Sequence, residues 1–262
     1  MKTELLYGHH PVREALKASR RKIHLLYLSR EAASSHAILA LAEQQHIPVE
    51  RVTGDKIQSL TRTDKHQGLC AVVDGFPLTS DTELFNTMSQ TGKPAFFLVI
   101  DGVLDPHNLG ALIRSALAVG VGMVITPQDR SVPPTAAVSK ASAGALEHIR
   151  LARVTNLSRT IDALKEKGLW VFGLDRAAAR QLYDTDMTVP TALVVGGEEK
   201  GIRPLVKKHC DGLVSIPQLG PLNSLNASVA GAVAMYEVLR QRNRSTPYQQ
   251  NEKTLYSAKG DA

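Results

Sequence analysis

Two rhythms of hydrophobic and polar positions alternate along this chain. Short runs of consecutive apolar residues fit strands buried on both faces, whereas apolar residues recurring every three or four positions fit the core-facing stripe of a helix. Within residues 1–75 the pattern predicts a helix opening at Pro11-Val12-Arg13-Glu14-Ala15-Leu16, where proline suits the first turn. Strands are predicted at 25–28, 48–52 and 69–73, and helices at 37–45 and 55–60. A second set begins with the apolar run 95–100 and adds strands at 121–126, 169–174, 191–195 and 213–216. Strands interleaved with helices give an α/β fold whose sheet is mostly parallel.

Between the two sets the periodicity fades. Residues 76–93 carry Pro77, Thr79, Ser80, Asp81, Thr82, Ser89, Thr91 and Gly92, and read as an interdomain linker with one short helix at 83–88. The division is therefore a domain at 1–75, a linker at 76–93, a larger domain at 94–242 and a polar, disordered tail at 243–262.

Composition narrows the class. Of 262 residues, 43% are hydrophobic and 21% charged, ordinary for a soluble globular protein. No apolar run approaches the ~20 residues that cross a bilayer, and the N-terminus lacks the apolar core of a signal peptide. Cys70 and Cys210 alone make neither a disulfide framework nor a zinc site. These features predict a cytoplasmic protein. The net charge of +6 favours an anionic partner. Residues 1–75 hold 11 Lys and Arg against 8 Asp and Glu, a net of +3, with six of the nine histidines. They also contain the run Arg20-Arg21-Lys22, which a solvated turn explains as well as a phosphate contact does.

Three segments of the larger domain carry candidate chemistry. Asp101-Gly102-Val103-Leu104-Asp105-Pro106-His107-Asn108 leads from a buried strand into a helix, which sets polar groups at the carboxyl edge of a sheet. On that helix Leu109, Leu112, Ile113, Ala116 and Leu117 share a face and Arg114 lies outside it. Either Asn108 and Arg114 meet a ligand, or Asn108 caps the helix and Arg114 is merely solvated. In the second segment a strand ends in Gly196-Gly197-Glu198-Glu199-Lys200-Gly201. Glycines there either let a ligand approach the backbone or make a tight turn. The pattern is neither a Walker loop nor a Rossmann fingerprint, and Gly120-Val121-Gly122 precedes its strand instead of following it. The third runs Ile216-Pro217-Gln218-Leu219-Gly220-Pro221 and then reaches Ser224, Leu225 and Asn226 at a helix start. A helix N-terminus brings donors to a ligand, or Ser224, with or without Asn223, simply caps it. Along that helix Leu225, Val229, Ala232, Tyr236 and Leu239 form an apolar stripe opposite the small residues Ala227, Ala230, Gly231 and Ala234.

In this order and spacing, the three segments resemble the three motifs of the SpoU (TrmH-like) branch of the SPOUT methyltransferases. Tyr7-Gly8-His9-His10-Pro11 and His66-Gln67-Gly68 resemble that family's N-terminal RNA-substrate-binding domain, so the likeness spans residues 4–242. Two places depart from the usual motifs, Gly197 with Glu199 in the second and Gln218 with Ala227 in the third. The resemblance implies a SPOUT-type α/β domain with a deep trefoil knot, preceded by a small α/β, L30e-like RNA-binding domain. It implies S-adenosylmethionine as methyl donor, S-adenosylhomocysteine as product, no metal, and a homodimer with active sites near its interface. It turns the small-residue face of the last helix into a contact surface.

By the same resemblance, Asn108, Arg114, Glu198, Ser224 and Asn226 form the catalytic set, and Gly196, Gly197, Ile216 and Leu225 hold the cofactor. The implied reaction methylates a ribose 2′-hydroxyl, most closely as in bacterial 23S rRNA guanosine 2′-O-methyltransferases acting on the peptidyl-transferase P-loop. In this reading Glu198 fixes Arg114 or its own loop. A tRNA substrate and a non-catalytic RNA-binding assembly protein are the alternatives. A nucleotide-phosphate enzyme is disfavoured, because the phosphate-loop lysine and serine are missing.

Overall fold

In the computed structural model, residues 3–29, 36–80, 83–84, 94–221 and 224–245 are described. Within the first unit, β1 (Thr3–Tyr7), β2 (Ile23–Ser29), β3 (Val49–Val52) and β4 (Leu69–Asp74) form a sheet in the order β1-β4-β2-β3. It is mixed: β4 runs antiparallel to β1 and β2, while β2 and β3 are parallel. Helices α1 (His9–Ala18), α2 (His36–Gln44) and α3 (Gly54–Thr61) accompany it. Leu6, Val12, Leu16, Leu26, Ile38 and Val73 make its core.

The second unit carries β5 (Phe96–Asp101), β6 (Met123–Pro127), β7 (Leu151–Val154), β8 (Trp170–Leu174), β9 (Thr191–Gly196) and β10 (Gly212–Val214). They pair in parallel in the order β10-β8-β9-β5-β6-β7. Among the described residues, α4 (Pro106–Ala118), α5 (Ala136–Ala141), α6 (Leu157–Glu166) and α7 (Pro204–His209) lie between strands, and α8 (Ala227–Ser245) follows the last one. Residues of β5 alternate between two cores. Leu98 and Ile100 pack with Leu109, Leu112, Ala234 and Met235 of α4 and α8, while Phe97 and Val99 pack with Leu157, Ile161 and Val206 of α6 and α7. This makes a helix–sheet–helix sandwich. Both faces of β5 are covered, which is why its sequence is a continuous apolar run.

Several elements lie outside the sequence reading. β1 and β7 are edge strands with weak local signals. For α6 the signal is present: the Asn156 side chain accepts from Arg159 N–H at 3.1 Å, Leu157, Ile161 and Leu164 keep helical spacing, and Gly168 sits at φ 87° just beyond the end.

The stretch read as a linker is tied to the second unit where it is described. Thr79 N–H donates to Leu151 O at 2.9 Å, and Leu84 is buried in the core on the α6 side. Residues 85–88 of its expected helix, Asn223, and the tail beyond 245 lie outside the described residues. At the C-terminal end, Arg242 donates to the carbonyls of Pro94, Ala95, Met187 and Val189 and lies over the Phe96 ring. Desolvation lowers its guanidinium to about 10. That residue clamps α8 to the starts of the central strands.

The two units are docked. Arg21 forms a bidentate pair with Glu147, Nε to Oε2 at 2.9 Å and Nη2 to Oε1 at 2.8 Å, and both side chains are 2% exposed. Ser139 Oγ donates to the same carboxylate at 2.6 Å, and Glu4 also pairs with Arg21. Beside this, the His148 Nε2 and Glu14 Oε2 atoms lie 2.9 Å apart.

Candidate active site

The loops leaving β5, β8, β9 and β10 meet at the carboxyl edge of the parallel sheet, where open α/β folds place their ligands. A groove of about 550 Å³ opens there. Its apolar wall comes from Leu174, Val195, Val214, Ile216, Leu225 and Ala230, and Gly196, Gly197, Glu198 and Ser224 complete the part that the motifs anticipated. All four residues expected to hold a cofactor, Gly196, Gly197, Ile216 and Leu225, therefore line one cavity.

The two glycines are explained by close approach. A Cβ on Gly196 would lie 2.1 Å from Gly201 C and 2.2 Å from Ile202 N, and one on Gly197 would lie 2.3 Å from Gly102 O. The loop folds onto its own backbone and onto the loop after β5, so any side chain at these positions displaces main chain. Asp101, buried at the end of β5, anchors the loop's far side. Its carboxylate accepts from Arg203 N–H at 2.8 Å and from Arg203 Nε at 2.7 Å.

Beside the groove, Asn108 sits at the centre of a side-chain chain of hydrogen bonds. Its Nδ2 donates to Glu198 Oε1 at 2.5 Å, and its Oδ1 accepts from Asn226 Nδ2 at 3.0 Å. Asn226 in turn accepts with Oδ1 from Ser228 N–H at 2.8 Å and Ser228 Oγ at 2.6 Å, which makes it the N-cap of α8. The cap is thus Asn226, in place of Ser224. Nor does Asn108 cap α4. Asp105 does that, accepting from His107 N–H at 2.9 Å with Pro106 in the first turn. Freed from capping, Asn108 links the first motif to the second and third.

Arg114 is placed differently. It is exposed on α4, does not line the groove, and makes no hydrogen bond or ion pair with the described residues. Glu198 holds Asn108, so the expected contact from Glu198 to Arg114 is absent among the described residues. The faces of α8 are also reversed relative to expectation. The small face is buried within the chain: a Cβ on Gly231 would lie 2.4 Å from Leu112 Cδ2, and Ala227 and Ala234 are buried with it. Leu225, Val229 and Tyr236 of the large stripe are the exposed ones, at 39%, 48% and 52%.

The sequence reading missed the β8 side of the groove: Leu174, Asp175, Arg176, Ala177 and Lys207. A polar residue directly after the predicted strand 169–174 was the available signal. The Asp175 side chain accepts from Ala177 N–H at 2.9 Å and pairs with Lys207 Nζ. Burial works to raise the Asp175 carboxyl, but the Lys207 and Ala177 hydrogen bonds and the charges of Lys207 and Arg176 outweigh it and hold it below the usual range.

Residues 95–236 match the family model described as SpoU rRNA Methylase, and residues 5–79 match the one described as RNA 2′-O ribose methyltransferase substrate binding. The chain belongs to the SpoU rRNA methylase family. The 23S rRNA (guanosine-2′-O-)-methyltransferase RlmB of Pseudomonas putida is 39% identical over 91% of this chain and 97% of its own. That of Vibrio cholerae is 38% identical over 92% of this chain and 98% of its own. A solved RNA 2′-O ribose methyltransferase superposes with a TM-score of 0.76 at 26% identity, covering 92% of this chain and 89% of its own. Family membership accounts for both units, a SPOUT-type α/β domain and a separate N-terminal substrate-binding domain. Among the described residues no helix is long and apolar enough to cross a membrane.

Proposed function

We propose that this protein transfers a methyl group from S-adenosylmethionine to the ribose 2′-hydroxyl of a guanosine in the peptidyl-transferase P-loop of 23S rRNA, acting as a cytoplasmic homodimer. The observation that carries the reading is the convergence of the glycine loop after β9 and the Ser224–Asn226 segment on one groove, with Asn108 bonded to both Glu198 and Asn226 beside it. The groove fits such a donor: an apolar wall for a base, close-packed glycine backbone, and charged groups of both signs. When bound, the donor supplies an electrophilic methyl carbon on a sulfonium.

Gly196, Gly197, Ile216 and Leu225 hold the donor and exclude water from it. Asn108, fixed by Glu198 and Asn226, orients the ribose together with Ser224, so that alignment is prepaid before the reaction. Arg114 serves as a charged donor. A guanidinium stays protonated at neutral pH, so it binds the neighbouring phosphate and stabilises charge developing on the 2′-oxygen. Arg114 lies off its own groove, and the Leu225–Val229–Tyr236 stripe is exposed. A second copy covering that stripe brings Arg114 to the partner's groove. The N-terminal unit, with net charge +3, grips the RNA electrostatically.

The functional test is a map of ribose methylation across 23S rRNA and tRNA in cells with and without the gene. Loss of one 23S guanosine mark, restored by the gene, is expected. A mark lost only from tRNA overturns the rRNA assignment, and an unchanged map in both overturns the activity. The groove has its own test. Gly196→Ala is expected to weaken S-adenosylhomocysteine binding by about tenfold or more in calorimetry, since the added methyl forces main chain apart.

A further inference from the structure

The charged residues of the groove stand on both sides of the glycine loop. Strand order β8-β9-β5 puts Asp175, at the exit of β8, on one flank of the Gly196 loop and Asn108, beyond β5, on the other. The Asn108 flank carries the polar network assigned above to the ribose. The β8 flank carries a carboxylate and an ammonium side by side, Asp175 and Lys207, both lining the groove. Their side chains are 13% and 32% exposed, sheltered yet reachable from the cavity.

The carboxylate is locked. One oxygen accepts from Ala177 N–H, the other from Lys207, and Asp175 N–H donates to Val214 O at 3.0 Å. An ionised carboxylate still has unused lone pairs after two such bonds, and an ammonium has three donors, of which Asp175 takes one. Together they offer one acceptor of cations and one donor to anions at neighbouring points.

We propose that Asp175 and Lys207 recognise the zwitterionic amino-acid end of the methyl donor, Lys207 binding its α-carboxylate and Asp175 its α-ammonium. The proposal rests on the cofactor reading above and adds what selects the donor's non-reacting arm. The reacting methyl belongs on the Asn108 flank, so the arm that carries charge but takes no part in the transfer belongs on the other. A ribose diol is neutral and calls for no fixed charge of either sign. Two opposite charges held together match an α-amino acid.

The test compares two ligands in calorimetric titrations of the full chain: S-adenosylhomocysteine, and 5′-methylthioadenosine, which keeps the adenosine and the thioether but lacks the amino acid. Asp175→Asn and Lys207→Met are each expected to weaken S-adenosylhomocysteine between about 10- and 100-fold, the range for a charged hydrogen bond. Binding of 5′-methylthioadenosine is expected to stay within about twofold in both variants, which also reports that the groove is still folded. Lys207→Arg, keeping the charge, is expected to retain most of the affinity. Equal losses for both ligands would mean that the pair only shapes the groove and would overturn the proposal, as would no loss for either. If the unaltered chain binds neither ligand, the cofactor reading itself fails, a result distinct from those of the variants.

Discussion

Arg114→Ala is expected to lower the rate of RNA methylation by roughly 10²- to 10³-fold, the usual cost of removing one preorganised donor to a developing oxyanion. Binding of S-adenosylhomocysteine should be unchanged, because Arg114 is absent from its own groove and its proposed contacts are with the RNA phosphate and the 2′-oxygen, not with the donor. Rate loss with intact cofactor affinity separates a role in the transfer from a role in folding the site. A mixing experiment then asks which groove it serves. Arg114→Ala chains are combined with Gly196→Ala chains, and sizing confirms that dimers form. If each Arg114 acts on its partner's groove, every mixed dimer contains one site with no defect. A symmetric pair exchanged at random then recovers about a quarter of the normal activity. No recovery would mean that Arg114 serves the groove of its own chain, against the proposed arrangement. Full activity in the Arg114→Ala variant alone would remove it from the mechanism.

Glu147→Ala is expected to carry the largest stability cost. Arg21 and Glu147 are both 2% exposed, and cutting one partner leaves a buried guanidinium held by Glu4, the Asp74 carbonyl and the face of the Phe76 ring. Breaking a buried pair from one side costs roughly 3–5 kcal/mol, most of it the penalty of the orphaned charge. Because the pair joins the N-terminal unit to the segment after α5, the loss should first loosen docking. Amide exchange is then expected to accelerate along β1, α1 and residues 145–149 before the central sheet is affected. Replacing both partners, as Arg21→Met with Glu147→Leu, should recover much of the stability, since neither fully buried charge remains and the Glu4 carboxylate that loses Arg21 is partly exposed. An unaltered melting transition for Glu147→Ala would sink the claim that this contact docks the units. Docking bears on function as well, because it fixes how an RNA gripped by the first unit is presented to the second.

The contrast between α4 and α8 shows why some of this was legible early. The apolar stripe on α4 is a local pattern, and Leu109, Leu112, Ile113 and Ala116 are buried as the spacing required, whereas Leu117, read on the same face one position before the helix ends, is 37% exposed. The same spacing argument found both faces of α8 but could not say which of them its own chain would cover. Gly231 against Leu112 decided that, and the large stripe was left to the outside. Asn108 shows the same boundary from another direction. Its place at a helix start was readable, yet its partners stand 90 and 118 residues away. Asp175 and Lys207, 32 residues apart, carried no joint signal at all.

By itself, then, the sequence determined the alternation of buried strands and amphipathic helices, and it singled out the three segments whose residues meet at or beside one groove. Hydrophobic period, glycine and proline act over a few residues, so their message survives without a fold. Only the tertiary structure decided which side chains meet: Asn108 with Glu198 and Asn226, Asp175 with Lys207, Arg21 with Glu147. Those meetings depend on the order in which parallel strands assemble, and parallel neighbours are joined by long crossovers that leave no local trace of which strand will lie beside which.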